Sequence, residues 1–160
     1  MKSIRQFTIL IALVSVGSLL SAQETDIPRR DVPPPVLAAF DKAYPHAKVL
    51  EWEREIHNGK VYYEAETVDG KIPRNVLYFP DGTVAQIEEK MAVNEVPPVV
   101  AQAAKNGFPK STIRSAHKVT QGDTVEYALE LKGVKQKEIV IRADGTIASN
   151  EGKTAIDRSK

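Results

Sequence analysis

Cysteine is absent from this 160-residue chain, and its absence narrows the folds that the chain can adopt. Without cysteine there is no disulfide, so a miniature fold held together by disulfides is excluded, and so is a cysteine nucleophile. Lipid attachment at a cysteine after the N-terminal apolar run is excluded as well. Stability must therefore come from buried apolar side chains, and a chain of this length can build one core or two small fused cores.

Neither positive nor negative charge is in large excess. The chain has 22 lysine and arginine residues against 21 aspartate and glutamate residues, a formal net charge of +1. Residues 1–22 hold two of the basic residues and no acidic one, so the remainder carries a net charge near −1. This balance leaves no excess of positive charge to bind nucleic acid or an anionic membrane, and we expect neither as a partner.

Motifs that would indicate catalysis or a bound ion are also missing. The three histidines, His46, His57 and His117, lack metal-ligand spacing, and there is no phosphate-binding glycine loop or Gly-x-Ser-x-Gly motif. The Asp-Gly-Thr segments at 81–83 and 144–146 lack the ligand pattern of an EF-hand calcium loop and are typical of hairpin turns. The sequence therefore predicts no enzyme, no metal and no cofactor.

The first 22 residues have the organisation of a secretory signal peptide. Lys2 and Arg5 precede an apolar run at 7–20, and Ser21-Ala22 provides small residues for cleavage. The alternative is a retained membrane anchor, but the run is short and interrupted by polar residues. We expect cleavage after Ala22, a periplasmic or secreted mature protein, and no stable membrane insertion.

The rest of the chain contains one segment twice. When the sequence is shifted by 64 residues, nine residues of the first copy meet identical residues of the second. The matched residues of the first copy are Val32, Pro33, Pro34, Val36, Ala39, Pro45, Val61, Tyr63 and Glu66. The predicted organisation is a signal peptide (1–22), a flexible leader (23–31), repeat 1 (32–90), a linker (91–95), repeat 2 (96–149) and a disordered tail (150–160).

Each repeat is predicted to contain one helix followed by four strands. In repeat 1, Val36, Ala39 and Phe40 begin an apolar stripe with helical spacing, and Pro45 ends the helix. Strand-like runs follow, separated by turn residues. The predicted fold is α+β: two tandem repeats, each one helix followed by a four-stranded antiparallel meander. The linker is short enough for the two sheets to join into one curved sheet.

Strand alternation predicts which residues face the helix, and Val61, Tyr63, Ala65 and Thr67 are expected to do so in repeat 1. One helix cannot cover both sides of four strands, so the opposite face is left for solvent or a partner. The residues of that face expected to bind a partner are Trp52, Arg54, Tyr62, Glu64, Leu77 and Phe79. Aromatic and arginine side chains anchor many interfaces, but cross-strand packing that shields the sheet is the alternative interpretation.

The order of these motifs resembles a known family. The motifs that carry the resemblance are Val-Pro-Pro before a helix ending at Tyr44-Pro45, then Trp52, Tyr62-Tyr63-Glu64, Asp69-Gly70 and Asp81-Gly82-Thr83. Together they resemble the PepSY-like repeats grouped with the beta-lactamase inhibitor protein fold. The resemblance implies a helix packed on a four-stranded antiparallel sheet in each repeat, and relatives that include extracytoplasmic inhibitory modules. The inhibitor protein itself has disulfides, which this chain cannot form.

The sequence thus predicts a non-enzymatic protein-binding module in the periplasm or the secreted fraction. Inhibition of an extracytoplasmic enzyme, such as a peptidase, is one form that this function would take. The alternative is a small-ligand or envelope-sensing module that binds a metabolite or peptide between the repeats. The expected partner is an extracytoplasmic protein whose identity does not follow from the sequence.

Overall fold

A computed structural model of the chain describes residues 23–57, 59–133 and 138–150. The predicted signal peptide (1–22) and residues 151–160 of the predicted tail lie outside the described residues. The helices of the described part are α1 (Pro34–Ala43) and α2 (Pro98–Gly107), with short 3-10 helices at Arg29–Asp31 and Val93–Glu95. Its strands are β1 (Gln23–Asp26), β2 (Lys48–His57), β3 (Lys60–Asp69), β4 (Ile72–Tyr78), β5 (Val84–Met91), β6 (Thr112–Gln121), β7 (Thr124–Lys132), β8 (Glu138–Arg142) and β9 (Ile147–Asn150).

These nine strands form one antiparallel sheet in which each strand pairs with the next along the chain. Strands β2 to β5 follow α1, and strands β6 to β9 follow α2. The sheet continues from one repeat to the other because β5 pairs with β6, from Ile87 opposite Thr120 to Met91 opposite Ala116. The predicted α+β class with antiparallel strands is confirmed, and both sets of strands belong to one continuous sheet.

Prolines set the boundaries of the helices. α1 begins at Pro34, where the missing N–H of proline costs no hydrogen bond. It ends where the Tyr44 N–H donates to the Phe40 carbonyl at 2.8 Å, directly before Pro45. α2 repeats this arrangement 64 residues later. Each helix buries one stripe of side chains against the sheet.

Both helices pack against the same side of the sheet, as β5 shows. Ile87 packs against the core of repeat 1, and Met91 packs against the core of repeat 2. Residues four apart in a strand point to the same side. The other side of the sheet, which we name the outer face, is therefore covered by neither of the two described helices.

Two hydrophobic cores lie between the helices and the sheet. Core 1 contains Val32, Val36, Phe40, Trp52, Ala65, Val76 and Tyr78. Core 2 contains Val96, Val100, Ala104, Ala116, Leu129, Leu131, Ile139 and Ile141. At one equivalent pair of positions, Trp52 lies opposite Ala65 in repeat 1 and Ala116 lies opposite Leu129 in repeat 2. The larger side chain of the pair lies on β2 in repeat 1 and on β7 in repeat 2. A different combination of large and small side chains therefore fills each core.

Trp52 lies on the helix side of the sheet, so the expectation that it lies on the opposite face is wrong. The residue is only 4% exposed, and its ring meets that of Phe40 edge-on with 5.3 Å between centroids. The cause is a β-bulge in β2, where the register with β3 shifts between Val49 and Glu51. The bulge adds one residue, so alternation counted from Val49 assigns every later residue to the wrong side. The expected position of Arg54 is wrong for the same reason.

The N-terminal segment pairs with the sheet, although the sequence predicted a flexible leader there. Gln23–Asp26 forms β1 along β2, and the Ile27 N–H then donates to the Trp52 carbonyl at 2.8 Å. Val32 is buried in core 1 directly after this segment. The residues of β1 have no apolar alternation, so the strand is held by backbone hydrogen bonds for which the sequence gives no signal.

The turn between β4 and β5 lies against the first turn of α1. Gly82 has a φ of 85°, and a Cβ at this position would lie 2.6 Å from the carbonyl oxygen of Pro35. Asp81 accepts a hydrogen bond from the Thr83 backbone N–H at 2.8 Å. The Asp-Gly-Thr segment at 144–146 forms the same bond. Both segments are turns between neighbouring strands, as predicted, and glycine is required at this contact with the helix.

Tyr78→Phe should leave the free energy of unfolding unchanged or raise it by up to about 1 kcal/mol. Tyr78 is fully buried, and its hydroxyl is a buried polar group without a hydrogen-bond partner among the described residues. Phenylalanine keeps the ring and removes this group. Chemical denaturation measures the change. Thr67→Val is the control, because the buried Thr67 hydroxyl donates to the Arg74 carbonyl at 3.0 Å and its loss should cost about 1 kcal/mol. A clear loss of stability in Tyr78→Phe would show that the Tyr78 hydroxyl does have a hydrogen-bond partner.

Candidate functional site

The outer face of repeat 1 carries a group of packed rings. The Tyr62 and Phe79 rings have centroids 5.2 Å apart, and the His57 ring lies 5.8 Å from that of Tyr62. Leu77, on the neighbouring strand, is only 5% exposed although no described helix covers this face. Neighbouring side chains of the sheet therefore shield Tyr62 and Leu77, while Phe79 stays partly exposed.

The structure brings together four of the six residues expected to bind a partner. These four are Tyr62, Glu64, Leu77 and Phe79, and they lie on β3, on β4 and directly after β4. Trp52 and Arg54 lie on the other side of the sheet. The candidate site is therefore the outer face of β2 to β5 without these two residues.

Glutamates of β2 occupy the outer face in place of Trp52 and Arg54. The register places Glu51 opposite Glu66 and Glu53 opposite Glu64. Carboxylate oxygens of Glu53, Glu55 and Glu64 all lie within 4.8 Å of one another. We name Glu53, Glu55 and Glu64 the carboxylate cluster. Close approach of three like charges is unfavourable unless protons or cations neutralise them.

Burial and mutual repulsion raise the pKa values of the carboxylate cluster. Burial, followed by the hydrogen bond with Glu55 and its charge, raises the pKa of Glu64 to about 9. Burial, followed by the charge of Glu64, raises the pKa of Glu53 to about 7. Burial also raises the pKa of Glu55, but its hydrogen bond with Glu64 acts in the opposite direction. Glu64 therefore holds a proton at neutral pH and donates it to Glu55.

The carboxylate cluster continues into further polar contacts within repeat 1. Glu55, which is 5% exposed, contacts Nε2 of His57 through a carboxylate oxygen. On the other side of the cluster, Glu64 forms a hydrogen bond with the side chain of Asn75. The four side chains form a hydrogen-bonded series over three strands, which fixes their positions relative to one another.

This series reaches the junction of the two repeats. Asn75 lies opposite Glu88 of β5, and Glu88 Oε1 lies 2.5 Å from Nδ1 of His117 on β6. Both side chains are largely shielded from solvent, since the Glu88 side chain is 8% exposed and the His117 side chain is 14% exposed. The outer faces of the two repeats are therefore connected by polar side chains, as well as by the backbone pairing of β5 and β6. We name the whole set the polar row: His57, Glu55, Glu64, Asn75, Glu88 and His117.

Comparison with known families identifies the fold. Residues 18–71 and 61–149 match the family model described as "Putative beta-lactamase-inhibitor-like, PepSY-like". The two matches together span both repeats. The chain belongs to this PepSY-like family. The resemblance predicted from the sequence motifs is confirmed.

Three solved structures similar to this PepSY-like chain come from Bacteroides species. A "putative periplasmic" protein from Bacteroides eggerthii is 21% identical with a TM-score of 0.64, over 75% of this chain and 88% of that one. A DUF2874 family protein from Bacteroides uniformis is 22% identical with a TM-score of 0.63, over 74% and 87%. A BLIP-like protein from Bacteroides fragilis is 17% identical with a TM-score of 0.61, over 84% and 93%. At these identities, the likeness shows a shared fold.

No curated protein matches the PepSY-like chain. Neither helix in the described residues is long and apolar enough to cross a membrane. The family description refers to an inhibitor-like fold and does not describe an enzyme family. Function must therefore be argued from the surface of this chain.

The carboxylate cluster was missed by the sequence analysis of this PepSY-like chain, but a signal for it was present. Residues 51–56 read Glu-Trp-Glu-Arg-Glu-Ile, with glutamate at every second position. That pattern is typical of one polar strand face, and anchoring the alternation at Trp52 as a core residue would have exposed it. Close carboxylates are common on strand surfaces, so the cluster alone defines no metal or cofactor site, and we assign none.

Proposed function

We propose that this PepSY-like chain is a non-enzymatic protein-binding module of the periplasm or the secreted fraction, and that its outer face docks on a partner protein. The observation that supports this most is the ring group of repeat 1, which lies beside shielded carboxylates on a face that neither described helix covers. Rings beside charged groups are typical anchors of protein interfaces. An extracytoplasmic enzyme, such as a peptidase, is the proposed kind of partner, and docking would inhibit it.

The proposed contact residues are Tyr62, Glu64, Leu77 and Phe79. Phe79 is the best placed to enter a partner, because it is partly exposed and packs against the Tyr62 ring. Tyr62 and Leu77 are 7% and 5% exposed, so they support Phe79 and fix its position. Binding by a preformed surface of this kind costs little conformational entropy.

Two observations support an extracytoplasmic location. The first 22 residues have the charge and hydropathy pattern of a signal peptide. A solved structure with the same fold is described as a "putative periplasmic" protein. The family description, which refers to beta-lactamase-inhibitor-like proteins, agrees with a binding role outside the cytoplasm.

Phe79→Ala should weaken binding of the partner protein at least tenfold, because truncation of an interface anchor costs about 2 kcal/mol or more. The partner would first be identified by cross-linking and affinity capture from the extracytoplasmic fraction of the native host. The dissociation constant would then be measured by calorimetry with the purified partner. If that partner is an enzyme, its inhibition should weaken by the same factor.

Val99→Ala is the matched control, because Val99 is a 46% exposed apolar residue on α2, on the opposite side of the sheet. This variant should bind as the wild type does. Thermal unfolding of both variants would show that the fold is retained. Equal binding by Phe79→Ala and Val99→Ala would contradict docking through the outer face. A thermal shift with a small metabolite and no protein partner would favour the ligand-sensing alternative.

A further inference from the structure

Strand β1 occupies the position in repeat 1 that the second half of β5 occupies in repeat 2. In the β1–β2 pairing, Gln23 lies opposite Ile56. In the β5–β6 pairing, Ile87 lies opposite Thr120, and both of these residues are 64 positions further along the chain. The same shift relates every other β1–β2 pair to a β5–β6 pair. The two pairings are therefore equivalent and can be compared residue by residue.

The equivalent pairings differ in charge. In β5–β6, Lys90 lies opposite His117, and His117 also contacts Glu88. In β1–β2, the residue equivalent to Lys90 is Asp26, and it lies opposite Glu53. The second outward residue of β1, Glu24, lies opposite Glu55. Like charges directly opposite each other destabilise a strand pair, so β1 is attached by the less favourable pairing.

Other charged groups around Glu53 add to this repulsion. From β2 itself, Glu51 and Glu55 flank Glu53, and from β3, Glu64 lies opposite and Glu66 lies two pairs further along. The charges of Glu64, Glu24, Glu51 and Asp26 all act to raise the pKa of Glu53, after burial. The basic residues His57 and Lys60 lie at the far end of the β2–β3 pair, where His57 contacts Glu55 and Lys60 lies opposite His57. Neither lies opposite Asp26 or Glu53. Protons are therefore needed where the equivalent junction has Lys90 and His117.

β1 can leave the sheet without disturbing core 1. It is four residues long, and its described side chains, at 24–26, are exposed. The chain joins the core only afterwards, through Ile27, which packs against core 1, and Val32, which is 3% exposed. Detachment therefore costs a few backbone hydrogen bonds and the side-chain hydrogen bond between Asp26 and Glu51, but it exposes no large apolar side chain of β1.

We propose that β1 is a proton-controlled strand, which pairs with β2 while the facing carboxylates hold protons and detaches as they ionise. Detachment opens the edge of β2 between Glu53 and Ile56, and it removes Glu24 and Asp26 from the outer face. The neighbouring outer face would then change in both shape and charge with pH. A free strand edge is also a template for pairing with another extended segment.

The direction of the effect follows from linkage. Glu24 and Asp26 of β1 are among the charges that raise the pKa of Glu53 to about 7, so this pKa is higher with β1 attached than with β1 detached, and the attached state holds more protons. Attachment is then strongest below pH 4.5 and weakens as the pH rises to 7.

Amide hydrogen exchange of Thr25 tests this proposal, because Thr25 lies within β1 opposite Arg54, two residues before Ile27, whose N–H bonds to the Trp52 carbonyl. Hydrogen-bonded pairs alternate along antiparallel strands, so the Thr25 N–H also bonds to β2. Exchange would be measured by NMR on the purified protein with a chelator present, and corrected for the intrinsic pH dependence of exchange. We expect the opening constant at Thr25 to rise at least tenfold between pH 4.5 and 7.5. The Phe108 amide, which bonds to the Ala104 carbonyl at the end of α2, should show no comparable rise.

Two variants should abolish this rise. Glu53→Gln removes the titrating group, and Asp26→Lys supplies the charge that Lys90 provides in the equivalent pairing. Glu126→Gln, on the outer face of repeat 2, is the matched control and should exchange as the wild type does. A pH-independent opening constant at Thr25 in the wild type would overturn the proposal. So would an equal rise at Thr25 and Phe108, or a rise that persists in both Glu53→Gln and Asp26→Lys.

Discussion

Replacing Trp52 with alanine should lower the free energy of unfolding by about 3–5 kcal/mol, because the change leaves a large cavity in core 1. The ring packs edge-on against Phe40 beneath α1, and the residue is 4% exposed. Its strand partner is the small Ala65, which cannot fill the space. Repeat 2 has the opposite arrangement, with Leu129 opposite Ala116. Circular dichroism during chemical denaturation would measure the loss, since the variant lacks the only tryptophan of the chain.

Two further variants separate a core role of Trp52 from a surface role. Leu50→Ala, at the bulge, removes a 51% exposed side chain and should change stability by less than about 0.5 kcal/mol. Adding Ala65→Leu to Trp52→Ala reproduces the pair found in repeat 2 and should recover on the order of 1 kcal/mol. If Trp52→Ala left stability unchanged and weakened only partner binding, the core assignment would be wrong. The interface role expected from the sequence would then stand for this residue.

The helices and turns could be predicted from the sequence because their signals act over short distances. Pro34 and Pro45 limit the backbone of their immediate neighbours, so they mark the start and the end of α1 in any tertiary context. The Asp81-Gly82 turn is similar, since it needs only a glycine at positive φ and an aspartate that accepts a local hydrogen bond. Each of these local signals occurs in both repeats, so the prediction for one repeat supports the prediction for the other.

The faces of β2 were predicted wrongly because the alternation was counted from Val49 across a bulge, and a bulge depends on pairing with another strand. The extra residue at Leu50 is defined only by the register with β3, which no local pattern specifies. One such residue exchanges the two faces for the rest of the strand, which is why Trp52 was placed outside while Glu53 and Glu55 were missed. On β3 and β4, Tyr62 and Leu77 were placed correctly, because no bulge precedes them in the register with their neighbours. β1 was not predicted because its residues show no apolar alternation and the strand is held by backbone hydrogen bonds.

The protein should be more stable at pH 5 than at pH 9, by on the order of 3 kcal/mol after allowance for solvent screening. In the folded state the pKa values of Glu53 and Glu64 are about 7 and about 9, whereas the usual value is 4.5. The folded protein therefore holds more protons, and this stabilisation is complete below pH 4.5 and is lost as the pH rises through 7 and 9. Asp81 and Asp144 act in the opposite sense, because backbone N–H donors lower their pKa values. Their contribution is lost only as the pH falls below about 3.8, outside this range.

Glu64→Gln should remove most of this pH dependence, because glutamine can still donate to Glu55 but does not ionise. Glu126→Gln is the matched control, because Glu126 lies on the same face in repeat 2, with its Oε1 3.4 Å from Nε of Arg142. This substitution should leave the pH dependence of stability unchanged. Chemical denaturation at half-unit intervals from pH 4.5 to 9 would give the free energy of unfolding for all three proteins. Paired, ionised carboxylates would give the reverse slope, with stability rising as the pH increases. A flat or rising profile in the wild type would therefore mean that the carboxylate cluster ionises at its ordinary pKa. In that case, neither burial nor repulsion would hold protons on the outer face.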